Sequence, residues 1–347
     1  MDNLIETVFS RCPVGTATEY AIKKGTLQKA LLENGAKFCL LQTMDPSLHQ
    51  VHFTQEWPLH FRDGGNIPPI WAQAQGDRSV LLGITYQKEH RGIYVRKDSD
   101  IRCIDDLKKK RLAVPVRKDA IIDFRYLTAL YGLESALEFY GIPMEKVCIV
   151  KIPCNNIATK QLQGNNVDTL NKDSDFMTED FQSVLAGKAD AVFAQSIKAV
   201  RHDKAGILRN IMTPEEQSMI PNYNNNAVLL ITCTKPFAYE HPDIVITYLK
   251  EVVRAARKIK EHPDDFLETA ASGIYGATVE EFKASFDNRQ LFERMPTLNK
   301  QSLALVDMRK KFLIKEGVIS SEKDFDVSKW ADPHFLEEAK REVEITG

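Results

Sequence analysis

Short apolar runs alternate with longer stretches of helical periodicity from one end of the chain to the other. Leu4 to Phe9 reads as a strand and is followed by a turn at Cys12-Pro13-Val14-Gly15. Thr16 and Glu19 have the Thr-x-x-Glu spacing of a capping box, so a helix is expected to start there, run to about Lys24 and stop at Gly25. Further strands are expected at Ala36 to Gln42, Val80 to Tyr86, Gly92 to Arg96 and Leu112 to Pro115, the last fed by a short helix over Ile104 to Lys108. Phe181 to Phe193 repeats the unit: a helix around Val184 and Leu185, a turn at Gly187-Lys188, and a strand over Ala189 to Phe193. Asn222 to Asn226 is a turn-rich break before an apolar strand, Ala227 to Thr232. From Pro236 the pattern is mostly helical, and His241-Pro242-Asp243 opens an amphipathic helix through about Lys260. Asn155 to Asp175 is polar and reads as a long loop or flap.

Alternation of this kind predicts an α/β fold with largely parallel sheets. Breaks near Asp105 and Asn222 divide it into two lobes, 1–108 plus 232–347 and 109–231, hinged by two crossovers into a clamshell. Folds of this class hold ligands in the cleft between lobes, near strand ends and helix N-termini. The active site is therefore expected in an interlobe cleft.

Composition narrows the functions such a fold can serve. The 347 residues are 43% hydrophobic and 27% charged, with a net charge of −2, which gives no electrostatic reason to expect nucleic acid or a membrane surface as a partner. No apolar run approaches the roughly 20 residues that span a bilayer. The start, Met1-Asp2-Asn3-Leu4-Ile5-Glu6, has acids where a secretory signal carries Lys or Arg, so the expectation is a cytoplasmic monomer. The six cysteines are dispersed without C-x-x-C spacing, against a structural metal site or a disulfide framework.

One cysteine stands apart by position. Cys12 lies between the first strand and the N-cap of the first helix, where backbone N–H groups and the helix dipole favour an anion. The ordinary alternative is a buried small hydrophobe. The segment Val51 to Ile70 is the densest in chemistry, with His52, His60, Arg62, a Gly64-Gly65 pair and Pro68-Pro69. Adjacent glycines let the backbone approach an anion, Arg62 can fork onto its oxygens, and His52 can move a proton near neutral pH. The competing reading is a loop whose glycines serve only its turns. Trp57 fits either an aromatic wall or packed core, and His60 fits a loop residue better than a second catalyst.

At these residues the chain resembles the 2'-hydroxybiphenyl-2-sulfinate desulfinase family. The family's Asn-Cys-Pro-Val resembles Arg11 to Val14, its Val-His-Phe-Thr resembles Val51 to Thr54, and its Arg-x-Gly-Gly-x-Ile-Pro-Pro resembles Arg62 to Pro69. Leu81 to Thr85 and the late Trp330 to Leu336 also recur, so the likeness covers nearly the whole chain. The resemblance implies a two-lobed fold like the periplasmic solute-binding proteins (type II), used in the cytoplasm as an enzyme. It implies hydrolysis of an aryl carbon–sulfur bond with release of sulfite, without cofactor or metal. By the same resemblance Cys12 is the essential catalytic residue, His52 the active-site histidine and Arg62 the sulfinate-binding arginine. The family's backbone glycine beside that arginine corresponds to Gly65, and Gly64, Trp57 and His60 are further candidates for substrate binding. Departures flank the expected cleft: the family's Tyr-Asp-Gln becomes Gln55-Glu56-Trp57, and its Gly-Ser-Trp-Glu loop has no counterpart around Asp119 to Arg125. Two readings stay open beside the desulfinase, a cytoplasmic binding protein that captures a sulfonate-like anion without turnover and a pyrimidine-synthase-like enzyme. The latter's cysteine-rich iron motif is poorly matched by Ile231 to Thr234.

Overall fold

A computed structural model describes residues 4–154, 176–221, 224–274, 276–287 and 291–346. The expected loop at 155–175 lies outside the described residues, as do 222 and 223 of the expected break. Among the described residues ten strands form two five-stranded sheets. The chain lays down β1 (Ile5–Arg11), β2 (Ala36–Leu40), β3 (His60–Gly65) and β4 (Ser79–Tyr86) in the first. It then builds the second from β5 (Arg91–Arg96), β6 (Arg111–Val116), β7 (Cys148–Pro153), β8 (Ala191–Gln195) and β9 (Leu208–Asn210), and returns to the first with β10 (Val228–Thr234). The orders are β2-β1-β3-β10-β4 and β7-β6-β8-β5-β9.

In each sheet a single strand runs against the other four. It is β10 in the first sheet and β5 in the second, the two strands that follow a passage between sheets. The sheets change partners earlier than the sequence pattern suggests: the chain leaves the first sheet between Tyr86 and Arg91 and re-enters it at Val228, not at 109 and 232. The reason is the short connection after β4. Consecutive strands usually neighbour one another in one sheet, whereas here four residues carry the chain across. Ile104 and Leu107 accordingly pack with Ile93 and Leu112 in the second sheet's core.

Each sheet is covered on both faces. On one face of the first sheet lies the helix Pro242–Glu261, whose buried stripe includes Tyr248, Leu249 and Val252, against Phe9 and Phe61 stacked 4.9 Å apart. On the other face, helices Ile67–Ala74 and Lys300–Lys315 enclose Leu81, Ile84, Leu230 and Trp330. That cluster also takes in Ile122, Leu127 and Leu130, so apolar packing joins the two lobes. The two crossing segments are bonded to each other, Gln87 N–H donating to the Ala227 carbonyl at 2.6 Å. An ion pair between Arg201 and Glu281 at 3.2 Å links the lobes at a further point. Among the described residues no helix is long and apolar enough to cross a membrane.

Candidate active site

β3 occupies the centre of the first sheet, and all six of its residues, His-Phe-Arg-Asp-Gly-Gly, are buried. Side chains alternate between faces along a strand, so Phe61 and Asp63 turn toward helix Pro242–Glu261 while His60, Arg62 and Gly64 share the opposite face. β1 runs parallel beside it with Ser10 opposite Arg62 and Arg11 opposite Asp63. One residue further, the Cys12 amide donates to the Asp63 carbonyl at 3.0 Å. This places the Cys12 side chain over Gly64, where a Cβ would collide with the Cys12 sulfur. Gly64 also has a φ of +154°, a region that L side chains rarely adopt.

His52 comes from the one-turn helix Val51–Thr54, which ends at Gln55 in a left-handed conformation. Its Nε2 lies 3.3 Å from Cys12 Sγ. Arg62 Nε donates to the His52 carbonyl at 2.9 Å, and Arg62 Nη2 lies 3.4 Å from His52 Nε2 and 3.9 Å from Cys12 Sγ. The three groups therefore come together although Cys12 precedes the other two by 40 residues or more. Arg62 is fully buried and His52 is 5% exposed, while the cysteine is half-buried. Arg62 Nη1 and His52 Nδ1 are buried without hydrogen-bond partners.

Burial, then the charge of Arg62, holds the His52 imidazole well below its usual range, so the ring is neutral. Burial also lowers Arg62, while Cys12 and then Asp63 act to raise it; a guanidinium stays charged under such conditions. With Arg62 Nη2 donating, His52 Nε2 carries the lone pair and the proton sits on Nδ1. In that tautomer Nε2 can accept from the thiol as well. Asp63, on the other face, is raised to about 6 by burial, against the hydroxyls of Thr18 and Thr16.

Three further residues flagged in the sequence, and one that was not, fall around this group. Gly65 lets the Asn225 amide pack on the strand, since a Cβ there would strike it. Trp57 packs against the small cluster of Val8, Leu41 and Val51. His60 is a strand residue, not a loop residue; on the same face as Arg62 its Nε2 meets Ser10 Oγ at 2.7 Å, and burial pushes the imidazole down to about 3. Trp57 and His60 do not line the interlobe cavity described below, and Cys12, His52, Arg62, Gly64 and Gly65 lie behind its wall, which is formed on their side by Pro13, Val14 and Asn225. Asn225 was missed because three consecutive asparagines read as a turn. Its Oδ1 accepts from the Ile67 amide at 2.9 Å, and its carbonyl from the Asn66 amide at 3.1 Å, fixing the start of helix Ile67–Ala74.

A cavity of about 170 Å³ opens between the two sheets. Pro13, Val14 and Asn225 form its wall on the side of Cys12, and Phe124, Phe193 and Ile197 contribute apolar surface from the second lobe. The six cysteines are unpaired, and no three His, Cys, Asp or Glu side chains among the described residues are grouped to hold a metal ion.

No family model matches the chain. It is 26% identical over 353 residues to 2'-hydroxybiphenyl-2-sulfinate desulfinase of Rhodococcus erythropolis, covering 94% of this chain and 92% of that protein; the Rhodococcus qingshengii desulfinase gives the same figures. Among solved structures, a mutant of DszB in complex with biphenyl-2-sulfinic acid superposes with a TM-score of 0.74 at 22% identity, covering 97% of this chain and 99% of that one. The periplasmic aliphatic sulphonate binding protein SsuA of Escherichia coli gives a TM-score of 0.62 at 15% identity, covering 94% and 96%. The chain thus has the two-sheet fold of periplasmic-binding-protein-like molecules and resembles the 2'-hydroxybiphenyl-2-sulfinate desulfinases over nearly its whole length.

Proposed function

We propose that the protein is a cofactor-independent desulfinase that hydrolyses the carbon–sulfur bond of a small organic sulfinate and releases sulfite, acting as a cytoplasmic monomer. The observation that carries this reading is the mutual contact of Cys12, His52 and Arg62 beside the cavity, in a chain similar to named desulfinases. A sulfinate is a compact anion. Arg62 Nη1, buried and without a partner, is a donor for one of its oxygens, and charge-assisted bonds of this kind are about twice as strong as neutral ones. The reaction converts R–SO₂⁻ and water into R–H and HSO₃⁻. Two routes balance it. In one, the cysteine sulfur attacks the sulfinate sulfur, the proton passes to carbon, and water cleaves the resulting S–S bond. In the other, the thiol protonates the carbon that bears sulfur, SO₂ departs and is hydrated, and water restores the thiol.

The surroundings favour the second route. An imidazolium at His52 would face the Arg62 charge across 3.4 Å in a buried site, so His52 is poorly suited to store the thiol proton. As a neutral acceptor it orients the S–H and leaves that proton for carbon. The test is sulfite release across a panel of aryl and alkyl sulfinates. Turnover of at least one, with equal amounts of sulfite and of the hydrogen-bearing organic product, is expected. Binding of the whole panel without sulfite would assign the protein to capture of the anion instead.

A further inference from the structure

The second lobe's wall of the cavity carries a cation that the sulfinate chemistry does not use. Helix Phe124–Phe139 begins at Asp123, whose carboxylate accepts from the Tyr126 amide at 3.2 Å. The same carboxylate accepts from Arg117 N at 2.7 Å and Arg117 Nε at 2.9 Å. Two arginines meet here, because Arg125 lies close enough for its charge to disfavour that of Arg117. The one aspartate beside them, Asp123, is bonded to Arg117.

Arg125 and Thr128 are three residues apart and so share a helix face, and both line the cavity. The other cations on that wall have acidic neighbours: Lys198 lies 3.9 Å from Asp180 and Arg201 pairs with Glu281. Among the described residues no carboxylate pairs with Arg125. The Thr128 hydroxyl is buried without a hydrogen-bond partner, a state that costs free energy unless a ligand or water relieves it. Phe124 and Ala129 flank the pair and line the same cavity, so a ligand group held there would be partly shielded from water. The first turn of a 16-residue helix adds positive potential. The segment leading into this helix, 119–125, is also where the sequence departs from the desulfinase pattern.

We propose that Arg125 and Thr128 form a subsite for a carboxylate carried by the organic half of the substrate, so that the preferred substrate is a carboxylated sulfinate. This rests on the desulfinase reading of the Cys12 site. Arg125 forks onto the carboxylate oxygens and the Thr128 hydroxyl donates to one of them, while the sulfinate end remains with Arg62.

The test compares benzenesulfinate with its 2-, 3- and 4-carboxy derivatives in sulfite release, and the matching unreactive sulfonates in calorimetric binding. Wild-type protein is set beside Arg125→Gln and Arg125→Lys. At least one carboxylated isomer should exceed the parent by about tenfold or more in kcat/KM and in affinity. Arg125→Gln should lower that ratio by a similar factor, and Arg125→Lys should retain part of it. A ratio near one for every isomer in the wild type, or a ratio unchanged in Arg125→Gln, would overturn the subsite. The sulfonates keep the two readings apart. If no sulfinate is turned over but carboxysulfonate binding still depends on Arg125, the subsite stands and the desulfinase reading falls. If sulfite is released without a carboxylate preference, the reverse holds.

Discussion

At Gly64 the absence of one carbon defines the reactive centre. Any Cβ would displace the Cys12 sulfur from its position 3.3 Å from His52, and the backbone φ of +154° adds strain. Gly64→Ala should therefore cut kcat/KM for sulfite release by about a hundredfold or more, roughly 2.7 kcal/mol of transition-state stabilisation. Steady-state kinetics, with a thermal melt to establish folding, check this; an alanine variant with near-normal turnover would show that the thiol does not need its place. Cys12, His52 and Arg62 stood out by residue type, but each also fitted an ordinary core or loop position, and only the resemblance to the desulfinases joined them into one candidate site. Trp57 and His60 shared that dense segment, yet Trp57 is held in packing and His60 is bonded to Ser10 on the face it shares with Arg62. Proximity in sequence cannot say which of two residues on one face reaches the thiol. Asn225 was hidden because its role depends on Gly65 and Ile67, more than 150 residues earlier.

β3 is one of the elements absent from the sequence pattern, with β7, β9 and the helix Phe124–Phe139. Central strands are normally recognised as apolar, β-branched runs, and His-Phe-Arg-Asp-Gly-Gly has a single strongly apolar member. Its polar residues are those that meet Cys12, Ser10, Thr16 and Thr18, so the site occupies positions where strand signal would otherwise stand. β4, β10 and the long helix Pro242–Glu261 were legible because burial sets their residues, whereas the exposed edge strand β7 was not. Asn225 is the tie between β3 and the segment entering β10. Asn225→Ala leaves the Ile67 amide without its acceptor beneath Asn66, at a cost of about 1–3 kcal/mol. A drop of that size in unfolding free energy by urea titration is expected, together with a raised KM because Asn225 also lines the cavity. A variant as stable as the wild type would remove this account of the strand–helix junction.

Across the whole molecule, buried titratable groups set how stability varies with pH. His52, His60 and His202 are all depressed below the ordinary histidine value near 6.5, the last two to about 3, chiefly by burial. The unfolded chain binds these protons first, so their contribution is present above about pH 6.5 and is lost on acidification, at about 1.4 kcal/mol per group per pH unit. Glu89 acts in the opposite sense. Burial raises it from 4.5 to about 8, so its contribution is present below 4.5 and is lost as pH climbs to 8. Asp63, raised from 3.8 to about 6, does the same over a lower window. Stability should therefore peak near pH 6.5, falling on the acid side as the histidines outweigh the two acids and on the alkaline side through Glu89. Glu89→Gln should flatten the alkaline limb while leaving the acid limb falling; urea midpoints taken from pH 4 to 9 check both, and an unchanged alkaline limb would contradict the assignment. The central claim concerns turnover at Cys12, and its most direct measurement is sulfite release by wild-type protein and Cys12→Ser from one sulfinate, with calorimetric affinity measured on both. Serine keeps the shape but is a far weaker nucleophile and acid, so release should fall below detection while affinity, held by Arg62, changes little. Equal sulfite release by the serine variant, or none from either protein, would contradict it.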